Sequence, residues 1–172
     1  MTAAQKRPAT QWLTADQQTA WRAYLRGSRL LEVALDRDLV ESHGVQLSEY
    51  EILSMVSEAE GSRLRMSVLA GLVVQSRSRV THTAKRLEQR GWVVREACLQ
   101  DRRGVELVLT PAGREVIAGM SAVHAESVQR HLIDALSPEQ FTELGRAMIA
   151  VQRANIRPSY GEVDTAALGD PG

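Results

Sequence analysis

Apolar side chains recur at helical spacing along most of this chain, and polar breaks sort them into a definite order of elements. Thr14 is a good N-cap, with Asp16 in the first turn that follows. Trp21, Leu25 and Ser28, then Leu31, Leu35 and Leu39, continue one stripe to a predicted stop near His43-Gly44. A helix of about 28 residues exceeds the usual length in a compact domain and asks for a partner surface. Ser48 is expected to cap a second helix, with Ile52, Leu53 and Val56 on its apolar face. Arg63-Leu64-Arg65 is short enough for one edge strand. Ser67 is the expected cap of a short third helix, Val68 to about Val73.

Ser76 is the predicted N-cap of a fourth helix, whose Val80, Ala84 and Leu87 fall on one face. Gly91 closes it. Trp92 and Val94, then Val105, Leu107 and Leu109, alternate as two strands around a polar tip. Thr110-Pro111 opens a fifth helix that runs through Val116, Ile117, Met120, Val123, Val128, Leu132 and Leu136. Ser137-Pro138 opens a sixth through Phe141, Leu144, Met148 and Val151, and Arg157-Pro158 ends it. The order predicts a mainly α (α+β) fold. Residues 46–110 form a winged helix-turn-helix, and residues 13–45 and 111–157 supply helices that a second copy of the chain would cover. Residues 1–12 read as flexible and 158–172 as a disordered tail.

Charge changes this picture. The formal net charge is +0, yet ten Arg or Lys stand against three acids between Ser62 and Gly104. Nineteen of the 21 basic residues are Arg, whose planar fork suits phosphate and guanine edges; a GC-rich genome gives the same bias. No apolar run reaches the length of about 18 residues expected of a membrane span. The first residues lack the apolar stretch of a signal peptide, and a cytoplasmic location is expected. One cysteine rules out a disulfide within the chain.

The chain resembles the MarR family of bacterial transcription regulators. The likeness rests on the element order and on Leu69-Ala70 followed by Ser76-Arg77-Ser78-Arg79-Val80-Thr81. It rests further on Leu87-Glu88-x-x-Gly91-Trp92-Val93, and on Asp101-Arg102-Arg103 followed by Leu109-Thr110-x-x-Gly113. The resemblance implies a homodimer on double-stranded DNA with a pseudo-palindromic operator, usually repressing, and released by a small molecule or by oxidation. It also implies that Asp101 braces the wing tip and that Arg103 is the better candidate for the minor groove, with Arg102 beside it.

The residues themselves suit DNA. A recognition helix reads bases with its N-terminal residues. That makes Arg77, Ser78, Thr81 and His82 candidates for base contact. Arg79 and Arg86 lie at the borders of the polar face, and Lys85 and Arg86 are expected on phosphate. Ser76 and the free N–H groups beside it favour a phosphate as well.

For a switch, Trp12, Trp21 and Tyr24 cluster near the start of the first helix and could line a cleft for an aromatic or phenolic effector, or could pack in a dimer core. Cys98, near basic residues, offers a thiol-based redox alternative. The four histidines show no tight metal-ligand spacing, so no metal and no cofactor are expected. The chain lacks a nucleophile elbow, a phosphate loop and a dinucleotide fingerprint, which argues against an enzyme. The remaining alternative is a winged-helix protein-interaction module without operator binding.

Overall fold

The computed structural model describes residues 12–98 and 104–155. The expectations for the N-terminal residues, the tail and the wing-tip residues Asp101, Arg102 and Arg103 fall outside that range, apart from Trp12.

Helix α1 spans Ala15–His43. Thr14 Oγ1 accepts from the Gln17 N–H at 3.2 Å, and Gln17 Oε1 accepts from the Thr14 N–H at 2.9 Å. Two donors that the helix itself cannot satisfy are thereby paired. Only Leu35 and Leu39 of α1 are buried, so its N-terminal half buries no residue among the described residues.

Helix α2 spans Leu47–Glu58 and starts earlier than a Ser48 cap would allow. The Gln46 N–H donates to Glu49 Oε2 at 3.0 Å, and the Leu47 N–H donates to Asp36 Oδ1 at 2.8 Å. A carboxylate on α1 thus does the work expected of Ser48. Strand β1 (Arg63–Arg65) runs directly into α3 (Met66–Leu72), so strand pairing sets that junction and Ser67 does not cap it. Helix α4 covers Arg77–Gln89, with Ser76 Oγ accepting from the Arg79 N–H at 3.3 Å as predicted.

Strands β2 (Val93–Ala97) and β3 (Val105–Leu109) form the wing. Both pair antiparallel with their neighbours in the order β1-β3-β2. The register sets Leu64 opposite Leu107 and Arg95 opposite Leu107 on the other side. Helix α5 spans Pro111–Val128 and α6 spans Pro138–Asn155. The fifth helix does not run unbroken to Leu136. Residues Gln129–Ile133 form a π turn, in which the Asp134 N–H reaches back to the Gln129 carbonyl.

One core joins these pieces. Leu39, Ile52, Leu53, Val56, Leu69, Val80, Leu87, Val93, Leu107 and Met120 are all fully buried within it. The apolar face read for α4 is therefore the face that fixes it in the protein. Each of these side chains contributes about 1.5–3 kcal/mol through burial.

Asp38 ties α1 to the π turn. Its Oδ2 accepts from Ser127 Oγ at 2.6 Å and lies 2.9 Å from His131 Nε2, while Arg37 pairs with Oδ1 at 2.9 Å. The Ser127 hydroxyl first, and Arg37 next, hold this carboxyl well below the usual carboxylate range. A depressed folded pKa contributes stability above the unfolded value of about 4 and loses it as pH falls further. Asp38→Asn should therefore lower the melting temperature at pH 7. The gap from the parent protein should narrow as thermal melts are taken down through pH 4, and a gap independent of pH would refute the role of this charge.

The turn between α3 and α4 is strained. Val74 has φ 49°, in the left-handed region, and its side chain is 79% exposed. A residue with a Cβ pays roughly 1–2 kcal/mol there, and this valine recovers little by burial. Val74→Gly should raise stability by about 1 kcal/mol, read as a rise of a few degrees in the melting temperature. A fall would mean that the Val74 methyls pack in the folded state.

Candidate nucleic-acid interface

The exit of α4 explains how helix and wing are joined. Gly91 has φ 75°. The Trp92 N–H reaches the Leu87 carbonyl at 3.1 Å, and the Gly91 N–H reaches the Glu88 carbonyl at 2.9 Å. This pair of bonds needs a left-handed residue at its centre, which glycine supplies without strain. The chain then turns back, and Arg95 of β2 meets Glu88 of α4. The Arg95 N–H, Nε and Nη2 all donate to that carboxylate, at 3.2, 2.9 and 2.5 Å. Arg95 accordingly holds the Glu88 carboxyl below its ordinary range. On the far edge, Arg63 bridges to Glu96 at 2.9 Å and Glu106 at 3.4 Å, linking all three strands.

These pairings sort the basic region. Arg63 and Arg95 are bound within the wing. Arg90 lies 4.8 Å over the Trp92 ring and donates to the Gly44 carbonyl at 3.0 Å. Arg86 is expected on phosphate, but the structure gives it a partner inside the protein. Its Nε donates to Glu49 Oε1 at 3.0 Å, and Glu49 is only 3% exposed. A carboxylate that deep needs a paired cation, which ties α4 to α2. Arg65, Arg77, Arg79 and Lys85 have no acidic partner among the described residues.

Ser78, Thr81, His82 and Lys85 lie exposed on the face of α4 away from its buried stripe, and Ser76, Arg77 and Arg79 are exposed at its N-terminal end. The Thr81 hydroxyl donates to the Arg77 carbonyl at 2.8 Å, so what it offers outward is its methyl group. Ser78 Oγ lies 3.2 Å from Ser76 Oγ. Sequence reasoning missed Glu49 and Glu88, the two acids that hold the recognition helix to α2 and to the wing. Glu88 and Arg95 were within reach of it, since a helix followed by a reversing strand brings residues on either side of Gly91 together.

The proposed switch residues fare differently. Trp21 and Tyr24 stack with centroids 5.8 Å apart, yet both are about half exposed, and Trp12 is 82% exposed. None of the three lines the cleft of 480 Å³ between α1 and the winged domain. Cys98 is 3% exposed, whereas a redox-active thiolate needs access. His124 packs against Tyr50 and is pushed down by burial. No group of three or more His, Cys, Asp or Glu is placed to hold a metal among the described residues. No helix of the described residues is long and apolar enough to cross a membrane.

A three-stranded wing clamped to an amphipathic helix with an open basic face defines a winged-helix DNA-binding protein. A MarR family model matches residues 43–104. The chain is 44% identical to AbsC, a MarR family transcriptional regulator from Streptomyces coelicolor. That match covers 84% of this chain and 97% of AbsC, with a TM-score of 0.79. It is 38% identical to Sco3205, a MarR family transcriptional regulator from the same organism solved in complex with DNA. Here 87% of this chain and 94% of Sco3205 are covered, with a TM-score of 0.81. Similarity extends to the HTH-type transcriptional regulator PecS of Dickeya dadantii, 29% identical over 72% of this chain and 74% of PecS. The chain belongs to the MarR family of DNA-binding transcriptional regulators, which are not enzymes.

Proposed function

We propose that this regulator is a homodimeric repressor of a pseudo-palindromic operator in the cytoplasm. The observation that carries the reading is the exposed face of α4, where Arg77, Ser78, Thr81, His82 and Lys85 lie together with no acid paired to them among the described residues. In this reading Arg77 and His82 meet base edges, and the Thr81 methyl meets a thymine methyl. Ser76, Arg79 and Lys85 hold phosphates, and Arg86 braces the helix. The wing brings Arg102 and Arg103 to the minor groove, with Asp101 bracing the tip.

Residues 13–45 and 111–157 form the dimer. Trp21, Tyr24, Leu30 and Val33 of α1 are exposed, and α6 buries no residue while exposing Phe141 and Val151. An apolar surface of this extent on two helices calls for a second copy. The two α4 helices then meet half-sites about 10 bp apart. A small molecule in the cleft between α1 and the winged domain would change that spacing, so effector response belongs there and not with the exposed aromatic trio or buried Cys98.

Gel shifts with genomic fragments at several salt concentrations test the reading. A dimer that touches about eight phosphates should show a slope of log affinity on log salt near −7. Absence of salt-sensitive duplex binding would leave the interaction-module reading in its place. A promoter that overlaps the operator should be silenced in a reporter strain.

A further inference from the structure

The cleft has a chemistry of its own. Its walls include Glu32 and Asp36 of α1, Glu51 of α2, Gln75 of the turn before α4, and Arg79 on α4. Three carboxylates face one guanidinium. The Gln75 amide donates through Nε2 to Glu51 Oε2 at 3.3 Å, which fixes its orientation. Gln75 Oε1 is then a buried acceptor with no partner among the described residues. Asp36 uses Oδ1 on the Leu47 N–H and keeps Oδ2 for something else. The cleft therefore sets three carboxylates and the free Gln75 Oε1 against one cationic side chain, with the Gln46 amide and the Ser48 hydroxyl as its other polar side chains. A buried acceptor without a donor is costly, and neighbouring carboxylates repel.

We propose that this cleft binds a small organic cation carrying several N–H donors, such as a guanidinium or polyamine. The inference rests on the effector reading above and names the class of ligand. Size and chemistry agree on it. The volume of 480 Å³ falls within the range of small-molecule sites. The carboxylates are too dispersed to chelate a metal ion among the described residues, but a cation several bonds long can span them. Burial, and next the charge of Glu32, push the Glu51 carboxyl upward, and a cation held beside it would offset the repulsion and favour its charged form. A phenolate or carboxylate ligand would add to the repulsion.

The occupant would touch α1, α2 and the turn that presents α4. It would thus couple the dimer helix to the reading helix through direct contact.

The test is calorimetric titration of the intact, DNA-free protein with agmatine at low salt, with salicylate as the anionic counterpart. Agmatine should bind saturably. Glu32→Gln should weaken it about fivefold to tenfold, and because Glu32 is exposed this variant keeps its fold. Glu51→Gln should weaken it similarly. No agmatine binding, binding unchanged in both variants, or salicylate binding that both variants leave intact or strengthen would overturn the proposal. Operator gel shifts on the same preparations separate the two readings. A protein that binds its operator and ignores agmatine refutes the cation alone.

Discussion

Replacing Arg77 with alanine should abolish selective operator binding at concentrations where the parent protein saturates it. Arg77 is the first residue of α4, is exposed, and has no acidic partner among the described residues. Its removal therefore leaves no buried charge behind, and the fold should hold. A bidentate arginine-guanine contact contributes about 1–3 kcal/mol of discrimination, and a homodimer makes it twice. The expected loss is roughly a hundredfold, against a much smaller loss on unrelated duplex.

Lys85→Ala makes the useful comparison. A phosphate contact carries no sequence information, so both specific and non-specific binding should weaken together. The salt slope should fall by about 2 if each protomer of the proposed dimer gives up one phosphate. Gel shifts on operator and scrambled duplex at three salt concentrations read both effects. Circular dichroism and sedimentation establish that fold and assembly are retained. Operator affinity unchanged in Arg77→Ala, and again in Arg103→Ala, would sink the assignment of these sites.

The contrast between Arg77 and Arg86 shows where the sequence was legible. The stripe Val80, Ala84, Leu87 set the rotation of α4, and so it told which side chains face outward. Thr14 and Gly44 bounded α1 because caps are local chemistry. Ion pairing is not local. Arg86 meets Glu49 across 37 positions, and Arg63 meets Glu106 across 43. A charge tally over residues 62–104 counts those arginines as available when the fold has already used them. The start of α2 was misplaced for a related cause, since Asp36, eleven residues away, supplies the bond that a local Ser48 cap was expected to make. The aromatic trio was read as a cleft lining or a dimer core from its clustering in sequence, and the cleft lies further along α1, at Glu32, Val33 and Asp36.

The largest stability effect should come from Gly113→Ala, a change of one methyl group. The Leu109-Thr110-x-x-Gly113 motif has a physical reason at this position. Thr110 caps α5 by accepting from the Gly113 N–H at 3.0 Å. The same hydroxyl donates toward the Gly91 and Trp92 carbonyls, at 2.7 and 3.0 Å, and the Thr110 N–H also reaches the Trp92 carbonyl at 3.0 Å. The first turn of α5 is thereby drawn onto the joint between α4 and the wing. A Cβ on Gly113 would lie 2.1 Å from the Trp92 carbonyl oxygen and 2.8 Å from Leu109 Cδ1. The first is backbone held by its own hydrogen bonds, so it cannot swing aside as a flexible side chain would. Overpacking of this kind costs about 3 kcal/mol. That corresponds to a fall of roughly 6–12 °C in the melting temperature of a chain this size. Thr110→Ala removes the cap but adds no clash, and should cost only about 1 kcal/mol. Differential scanning calorimetry of both variants tests the ranking. If Gly113→Ala proves the milder of the two, the close approach of α5 to Trp92 is not what holds the wing to the recognition helix.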